Sequence, residues 1–423
     1  MAECTEDGNG SMKWRLALGA LALVAASAAG VFATVSLTGW QTLPAEAPLS
    51  LEVYDPRFEA AGKEAARLLE AMRAETGVPG ATAAVSVDGE LVWAAGTGWA
   101  DLDTLTPVTS DTIFRIGSTS KAVTATILAR LQAEGLLDVG DKVADHIPEP
   151  LNPHWGEMRL DQLLAHTAGF PGYENNTDWL GFLETLRMQR QFESVEEGLR
   201  LVDGSRLLGA PGEVFHYSSF DTSLVAVVAE RASEADLASL LETRVRLPLA
   251  LGTPLLADHG PRPAGVARFY SLGGDGRVRL RSPVNVSQRW PGGGLYGRSV
   301  DLVRLGGAWL DDSFIPEAIR RRFWEPMRLN SGEINEQNYA LGWRVQPAST
   351  VTFGPEAPVM VVHHGGVSRG AMSWLIVYPD LGIAAAVNIN AETPAFADFS
   401  RVEPAIVRLF AEAADRAPQG VGQ

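Results

Sequence analysis

Cysteine and lysine are both scarce in this chain of 423 residues. The one cysteine, Cys4, lies close to the N-terminus, so an internal disulfide is impossible and a thiol nucleophile in the folded part is excluded. The four lysines are Lys13, Lys63, Lys121 and Lys142, and no lysine follows Lys142. Any chemistry that needs a lysine amine must therefore use one of very few side chains.

Positive charge is also in short supply. Arg plus Lys amounts to 35 and Asp plus Glu to 51, which gives a net charge of −16 and argues against a nucleic-acid partner. The seven histidines show neither H-x-H nor H-x-x-x-H spacing, so no metal site is indicated, and we expect no other cofactor. The hydrophobic fraction of 46% is enough for a large core.

The N-terminal region contains the longest stretch without a charge, from Leu16 to Trp40. As a helix it would be roughly 35 Å long, enough to cross a bilayer core of about 30 Å. Lys13 and Arg15 precede it, which predicts a cytoplasmic leader (1–15), a single-pass anchor (16–40), a linker (41–54), an extracytoplasmic catalytic domain (55–415) and a tail (416–423). The alternative is a signal peptide cleaved near 26–28, which would give a secreted protein.

Two hairpins are predicted at opposite ends of the remaining chain. The runs ATAAVSV and ELVWAAG are separated by Asp88-Gly89, and SWLIVYP and IAAAVNIN by residues 380–382. Helices are predicted from Asp55-Pro56 to Gly77 and from about Pro394 to Ala414. We therefore expect an α/β (α+β) fold, in which an antiparallel sheet built from both ends of the chain is flanked by helices and joined by a mostly helical middle.

A G-x-S-x-G pattern centred on Ser368 raises the possibility of a nucleophile elbow. An elbow needs a helix directly after the serine, but the sequence after Ser368 is typical of a strand. The catalytic histidine should also follow the serine, yet the last histidine in the chain is His364. Ser368 is therefore not expected to be a nucleophile.

A better nucleophile lies in the tetrad Ser118-Thr119-Ser120-Lys121. Apolar residues at helical spacing follow it, so Ser118 is predicted at a helix N-terminus with Lys121 one turn later on the same face. Burial and the helix dipole would favour the neutral amine, which can accept the hydroxyl proton. The alternative is an ordinary serine-rich helix cap.

Nearly all of residues 60 to 413 resembles the serine β-lactamase and penicillin-binding protein superfamily, in particular its class C β-lactamase-like branch. That branch includes esterases, D-aminopeptidases, DD-peptidases and mitochondrial serine hydrolases. The resemblance lies in the first hairpin, the S-x-x-K tetrad, LLAHTAGF (163–170), PGEVFHYSS (211–219), PGGGLYGRSVDLVRLGGAWL (291–310), NYALGWRV (338–345) and HGG (364–366). It implies a β-lactamase/transpeptidase-like fold.

The resemblance also implies roles for the site residues. Ser118 would form the acyl-enzyme, with Lys121 as its proton partner. Tyr217 would exchange protons with the nucleophile and the leaving group. In the same Y-x-N motif Ser219 replaces the usual asparagine, and a hydroxyl offers fewer hydrogen bonds to a substrate amide.

The third family motif, K-T-G in lactamases, is excluded by the absence of lysine, and His364-Gly365-Gly366 stands in its place. His364 would orient a substrate carboxylate or stabilise Tyr217 as a phenolate. Gly366 would let the substrate backbone approach, and the Val367 N–H would be the second oxyanion donor beside that of Ser118. His363 and the turn at His166-Thr167 are interpreted as structural.

These features predict a serine hydrolase acting through an acyl-enzyme on ester or amide substrates, such as D-amino acid or small-peptide derivatives. A true β-lactamase is less favoured because of Ser219 and His364. The alternative is a β-lactam-binding or non-catalytic envelope scaffold protein that retains the fold. The expected partners are a small-molecule substrate and, through the N-terminal helix, a membrane.

Overall fold

The computed structural model describes residues 38–253, 263–347 and 359–415. The strands are β1 (Trp40–Thr42), β2 (Leu49–Val53), β3 (Gly80–Val87), β4 (Glu90–Asp101), β5 (Thr106–Pro107), β6 (Phe114–Arg115), β7 (Tyr270–Leu272), β8 (Arg277–Leu280), β9 (Tyr296–Gly297), β10 (Arg344–Pro347), β11 (Met360–Ser368), β12 (Ala371–Tyr378) and β13 (Ile383–Ile389). The helices are α1 (Glu59–Thr76), α2 (Ser120–Ala133), α3 (Val143–His146), α4 (Leu160–Leu164), α5 (Trp179–Arg187), α6 (Val195–Leu199), α7 (Ser219–Ser233), α8 (Leu237–Leu240), α9 (Trp290–Gly293), α10 (Ser299–Ala308), α11 (Glu317–Phe323), α12 (Ala397–Ser400) and α13 (Val402–Ala413).

The main sheet joins the two ends of the chain, as predicted. Its strand order is β10-β11-β12-β13-β3-β4-β2, with β5 added to β4, and every pairing is antiparallel. Both predicted hairpins are present, β3–β4 across Asp88-Gly89 and β12–β13 across residues 379–382. The two hairpins meet where β13 pairs with β3. This pairing between the two ends of the chain joins the two hairpins into one continuous sheet.

Helices cover both faces of this sheet. On one face α1 and α13 pack together, and Phe410 lies 5.6 Å from Phe58 and 5.5 Å from Trp93 between ring centroids. On the other face α10 crosses β3 and β13, where a Cβ on Gly306 would lie 2.9 Å from the Ala384 side chain. The predicted α+β architecture, with helices flanking an antiparallel sheet, is confirmed.

The helical region lies beside the α10 face and holds the larger hydrophobic core. Helices α2, α4, α7 and α9 pack against one another there, and α2 and α7 are buried along most of their length. The two-strand pair of β6 with β9 brings the start of α2 next to α9. The start of α2 and helix α9, which are about 170 residues apart in the sequence, therefore lie next to each other.

The structure differs from the sequence predictions in the linker, in the closing helix and at Trp40. Half of the predicted linker 41–54 lies in strands, because β1 pairs with β8 and the alternating LSLEV of β2 adds an edge to β4. The closing helix is two helices, α12 and α13. The predicted leader, the tail and residues 16–37 of the predicted anchor lie outside the described residues, and Trp40 lies in β1. Within the described ranges, no helix has the length and apolarity needed to cross a bilayer.

Candidate active site

Ser118 and Lys121 lie together at the start of α2. A short 3-10 turn, Gly117–Thr119, leads into the helix and leaves Ser118 partly accessible while Lys121 is 1% exposed. Lys121 Nζ lies 3.4 Å from Ser118 Oγ, 3.0 Å from Ser219 Oγ and 2.6 Å from the carbonyl oxygen of Gly292. The amine therefore has three oxygen neighbours from three separate elements.

The neighbouring serine holds this turn in place. Ser120 Oγ donates to the Gly117 carbonyl at 2.6 Å and accepts from the Leu295 N–H at 3.2 Å. These two bonds tie the start of α2 to the segment that follows α9. Because Ser120 makes both of these hydrogen bonds, the hydroxyl of Ser118 remains available to the cavity.

The pKa of the Lys121 amine is held well below its usual range, first by burial and then by the positive charges of Arg344 and Arg289. Both causes disfavour the ammonium form. Asp221 acts in the opposite direction and raises that pKa, but it is a smaller cause than burial and the two arginines. A neutral Lys121 is the form that can accept the proton of Ser118.

Tyr217 lies on the other side of Ser118, just before α7. Both side chains line one cavity, and Lys121 Nζ lies 4.6 Å from the Tyr217 ring centroid. Burial raises the pKa of Tyr217 to about 12, although the neighbouring Ser118 side chain and the charge of Arg344 act to lower it. The phenol is therefore protonated near neutral pH. Ser218, whose Oγ accepts from the Phe220 N–H at 3.1 Å, caps α7 and fixes Tyr217 and Ser219 on either side.

His364 lies behind this cluster and is fully buried. Its Nδ1 donates to the Gly365 carbonyl at 2.7 Å, and its Nε2 lies 2.7 Å from Tyr339 Oη. Burial, with the charges of Arg344 and Lys121, holds the pKa of His364 well below its usual range, so Nε2 accepts from the Tyr339 hydroxyl. Both ring nitrogens are occupied by protein groups. Its ring centroid is 6.5 Å from that of Tyr217, and its side chain does not line the cavity beside Ser118.

The β11 edge passes directly beside the Ser118 turn. A Cβ on Gly366 would lie 1.9 Å from the Ile116 carbonyl oxygen and 2.9 Å from the Ser118 nitrogen. A Cβ on Gly117 would lie 2.7 Å from the Val367 nitrogen. Only glycines permit this approach, which brings the Val367 backbone next to the Ser118 turn. The Val367 side chain is half-exposed.

These groups surround a cavity of about 200 Å³ that opens to solvent. The residues that line it are Ser118, Gly172, Tyr173, Glu174, Tyr217, Ser219, Arg289, Gly293 and Val367. Four of the residues predicted from sequence, Ser118, Tyr217, Ser219 and Val367, thus face one space. Lys121, His364 and Gly366 lie behind its wall.

A buried acid–histidine pair was not anticipated from the sequence. His166 Nδ1 lies 2.8 Å from Asp221 Oδ2, and both side chains are almost completely buried. Burial raises the pKa of Asp221 well above its usual range and holds that of His166 well below its usual range. The His166 ring packs 4.4 Å from that of Tyr217. The available signal was the position of Asp221, four residues after Tyr217.

The remaining sequence candidates lie elsewhere. Ser368 ends β11 and is followed by β12, not by a helix, so the elbow geometry is absent there. His363 faces away from His364 and packs on Trp374 with 4.6 Å between ring centroids. Burial lowers the pKa of His363 to about 3. Both residues therefore stand apart from the Ser118 cavity.

Comparison with known proteins identifies relatives over most of the chain. A family profile described as Beta-lactamase matches residues 65–405. The human serine beta-lactamase-like protein LACTB, mitochondrial, is 26% identical over 399 residues, covering 76% of this chain and 73% of that protein. Esterase EstB of Burkholderia gladioli is 27% identical over 335 residues, covering 70% and 82%. The crystal structure of a D-stereospecific amidohydrolase from Streptomyces sp. superposes with a TM-score of 0.64 at 25% identity, over 81% of this chain and 98% of that one.

Proposed function

The chain belongs to the beta-lactamase family and is a serine hydrolase, and we propose that it cleaves ester or amide bonds through an acyl-enzyme formed on Ser118. One observation carries this proposal. Lys121, buried and with a lowered pKa, lies 3.4 Å from the hydroxyl of a partly accessible serine that faces a cavity. A lysine in this state is a proton acceptor matched to a serine nucleophile.

In the proposed reaction the Ser118 proton passes to Lys121 Nζ as Oγ bonds to the substrate carbonyl carbon. The carbonyl oxygen becomes an oxyanion, for which the backbone N–H groups of Ser118 and Val367 are the assigned donors. When the bond to the leaving group breaks, the leaving oxygen or nitrogen takes the Tyr217 proton, and Tyr217 regains a proton from the Lys121 ammonium. Water then cleaves the acyl-enzyme and releases the acid, and Ser118 recovers its proton.

The proposed substrates are esters and amides of D-amino acids or small peptides, in preference to β-lactams. Ser219 stands at the position of the family asparagine and offers one donor where an amide offers two, which weakens contacts to a substrate amide. An esterase and a D-stereospecific amidohydrolase are among the relatives. A panel of p-nitrophenyl esters, D-amino acid amides and nitrocefin would rank these classes directly.

A fluorophosphonate probe tests the acyl-enzyme proposal. The wild-type protein should be labelled at Ser118, labelling should be lost in Ser118→Ala, and it should be kept in Ser368→Ala, the matched serine of the G-x-S-x-G pattern. Labelling that survives in Ser118→Ala would overturn the assignment of the nucleophile.

The second candidate is a β-lactam-binding or scaffold role, which the altered second motif at Ser219 favours. A fluorescent penicillin separates the two proposals. A stable adduct on Ser118 without product release supports the binding role, and turnover of esters or amides supports the hydrolase. A folded protein that no carbonyl or phosphonate probe labels would favour the scaffold.

We also propose that the uncharged segment from Leu16 towards Trp40 anchors the protein in a membrane with the catalytic domain outside the cytoplasm. Its length and the preceding Lys13 and Arg15 support this orientation. Full-length protein should sediment with membranes and resist carbonate extraction. Release of a shortened protein into the medium would instead support a cleaved signal, and recovery from the cytoplasm would contradict both.

A further inference from the structure

The cavity beside Ser118 contains an arginine whose charge is not matched by a carboxylate. Arg289 ends the 3-10 turn Ser287–Arg289 just before α9, and its Cζ lies 4.5 Å from the ring centroid of Tyr173. Both residues line the cavity. This cation–π contact holds the guanidinium against the ring, and a guanidinium held there can still bind a ligand through its N–H groups.

Arginines elsewhere in this acidic protein are mostly paired. Arg298, for example, binds Asp301 through two nitrogens, and Arg322 binds Asp161 at 2.6 Å. Within the described part of the chain Arg289 forms no ion pair, and its Nε is buried with no acceptor. A buried guanidinium nitrogen without a partner is costly, and a bound anion would remove that cost.

The surroundings of Arg289 add to the positive field. Arg344 donates to the neutral amide oxygen of Gln337, at 2.6 Å from Nη2, and its charge also reaches Lys121. Asp221, the buried acid nearby, lies 2.8 Å from His166 Nδ1, and burial raises its pKa well above the usual range, which disfavours its charged form. A chain with net charge −16 thus has a locally positive site, which attracts an anionic ligand.

Glu174 is an acidic residue in the lining of the same cavity, and its charge would repel an anionic ligand. It is exposed at the rim, and among the described residues no ion pair joins it to Arg289. Its charge therefore opposes an incoming anion without neutralising the guanidinium. Removing the charge of Arg289 should therefore slow the hydrolysis of an anionic substrate, and removing the charge of Glu174 should speed it up.

We propose that Arg289 binds a carboxylate of the substrate, so that the preferred ester or amide is an anion; this inference rests on the proposed hydrolase function. A planar carboxylate can accept two parallel bonds from the edge of a guanidinium. The small cavity places that edge beside Ser118, so recognition and acylation occur in one space.

Paired esters test the inference. On the acyl side we would compare 4-nitrophenyl pentanoate with mono-4-nitrophenyl glutarate, and on the leaving-group side phenyl acetate with 3-carboxyphenyl acetate. At a pH on the alkaline plateau of the acylation profile, where Lys121 is neutral in both proteins, Arg289→Gln should lower kcat/KM for at least one carboxylate ester about 10- to 100-fold while its neutral partner changes less than about 3-fold. Glu174→Gln should raise kcat/KM for that same anionic ester. Equal losses on neutral and anionic esters in Arg289→Gln, or no loss on either, would overturn the proposal.

Two further variants guard against misfolding and non-specific charge effects. Arg289→Lys keeps the charge but not the paired N–H edge, and should retain part of the preference. Arg304→Gln removes an arginine from α10 in a different cavity, at the Asp88-Gly89 end of the sheet, and should leave all four rates unchanged. If wild-type protein hydrolyses none of the esters and Ser118 takes no fluorophosphonate, the hydrolase proposal itself fails. If the esters are hydrolysed without charge discrimination by Arg289, only this inference fails.

Discussion

Lys121 lies closer to Ser219 than to the nucleophile Ser118, with Nζ–Oγ distances of 3.0 and 3.4 Å. A neutral amine has two N–H donors and one lone pair. The Gly292 carbonyl at 2.6 Å can only accept, so it takes one N–H, and Ser219 Oγ takes the other. The lone pair is then left for the Ser118 proton. Ser219 therefore orients the general base, although it replaces the family asparagine.

Replacing Ser219 tests this orientation. Ser219→Ala should slow acylation about 10-fold because the freed N–H competes for Ser118 and turns the lone pair away. Ser219→Asn provides a carbonyl acceptor and should be less impaired. The measurement is the second-order rate of fluorophosphonate labelling. Ser223→Ala, one turn further along α7, removes a buried hydroxyl bonded at 3.4 Å to the Ser219 carbonyl and should have no effect. Equal rates in Ser219→Ala and wild type would show that Ser219 does not position Lys121.

The acylation rate should fall as the pH is lowered through the pKa of Lys121. Burial and the charges of Arg344 and Arg289 lower that pKa, so the amine is neutral above it and loses its basic form below it. Removing one positive neighbour, as in Arg289→Gln, should raise the pKa and move the acid limb to higher pH. A pH–rate profile of acylation measures both effects. A rate that is flat from pH 5 to 9 would contradict the role of Lys121.

Much of the fold and half of the cavity could be predicted because the signals are local. The Asp88-Gly89 turn defines one hairpin, and the three-residue spacing of Ser118 and Lys121 on a helix places both groups on one face. Tyr339, Arg289 and Asp221 were missed because their contacts come from segments far apart in the chain. The partner of His364, for example, is a tyrosine on a loop before β10, and nothing in the local pattern of either residue indicates that pairing.

The role predicted for His364 is limited by the same non-local contact. With Nδ1 bound to Gly365 and Nε2 to Tyr339, its ring supports the wall of the site from behind. The ring centroid of His364 is 6.5 Å from that of Tyr217, and the ring of Tyr339 packs against both. His364 thus lies next to the site, as expected from the sequence, but it does not line the substrate cavity.

Gly366→Ala should reduce both activity and stability. The added Cβ would lie 1.9 Å from the Ile116 carbonyl oxygen, so β11 must move away from the Ser118 turn. That movement separates the Val367 and Ser118 N–H groups, and losing one oxyanion donor costs about 10²–10³ in kcat. Ester hydrolysis and thermal unfolding would be measured together. Gly274→Ala is the matched control, since a Cβ there meets nothing within 4 Å and should change neither. Unchanged kcat in folded Gly366→Ala would remove the proposed oxyanion hole.

Glu403 should make the stability of the protein depend on pH without involving the active site. This carboxyl on α13 is 1% exposed, accepts from Trp374 Nε1 at 3.1 Å and from Tyr378 Oη at 3.0 Å, and burial raises its pKa from 4.5 to about 7. A folded-state pKa above the unfolded one means that the folded protein binds more protons between those values, so stability falls as pH rises from about 4.5 to 7.

Glu403→Gln resembles the protonated form, and relative to wild type it should gain up to about 3 kcal/mol in unfolding free energy between pH 5 and pH 8. Urea denaturation at both pH values measures the gain, and Glu412→Gln, an exposed partner of Arg408 on the same helix, should show none. The same difference between Glu403→Gln and wild type at both pH values would show that the carboxyl ionises as it does in water.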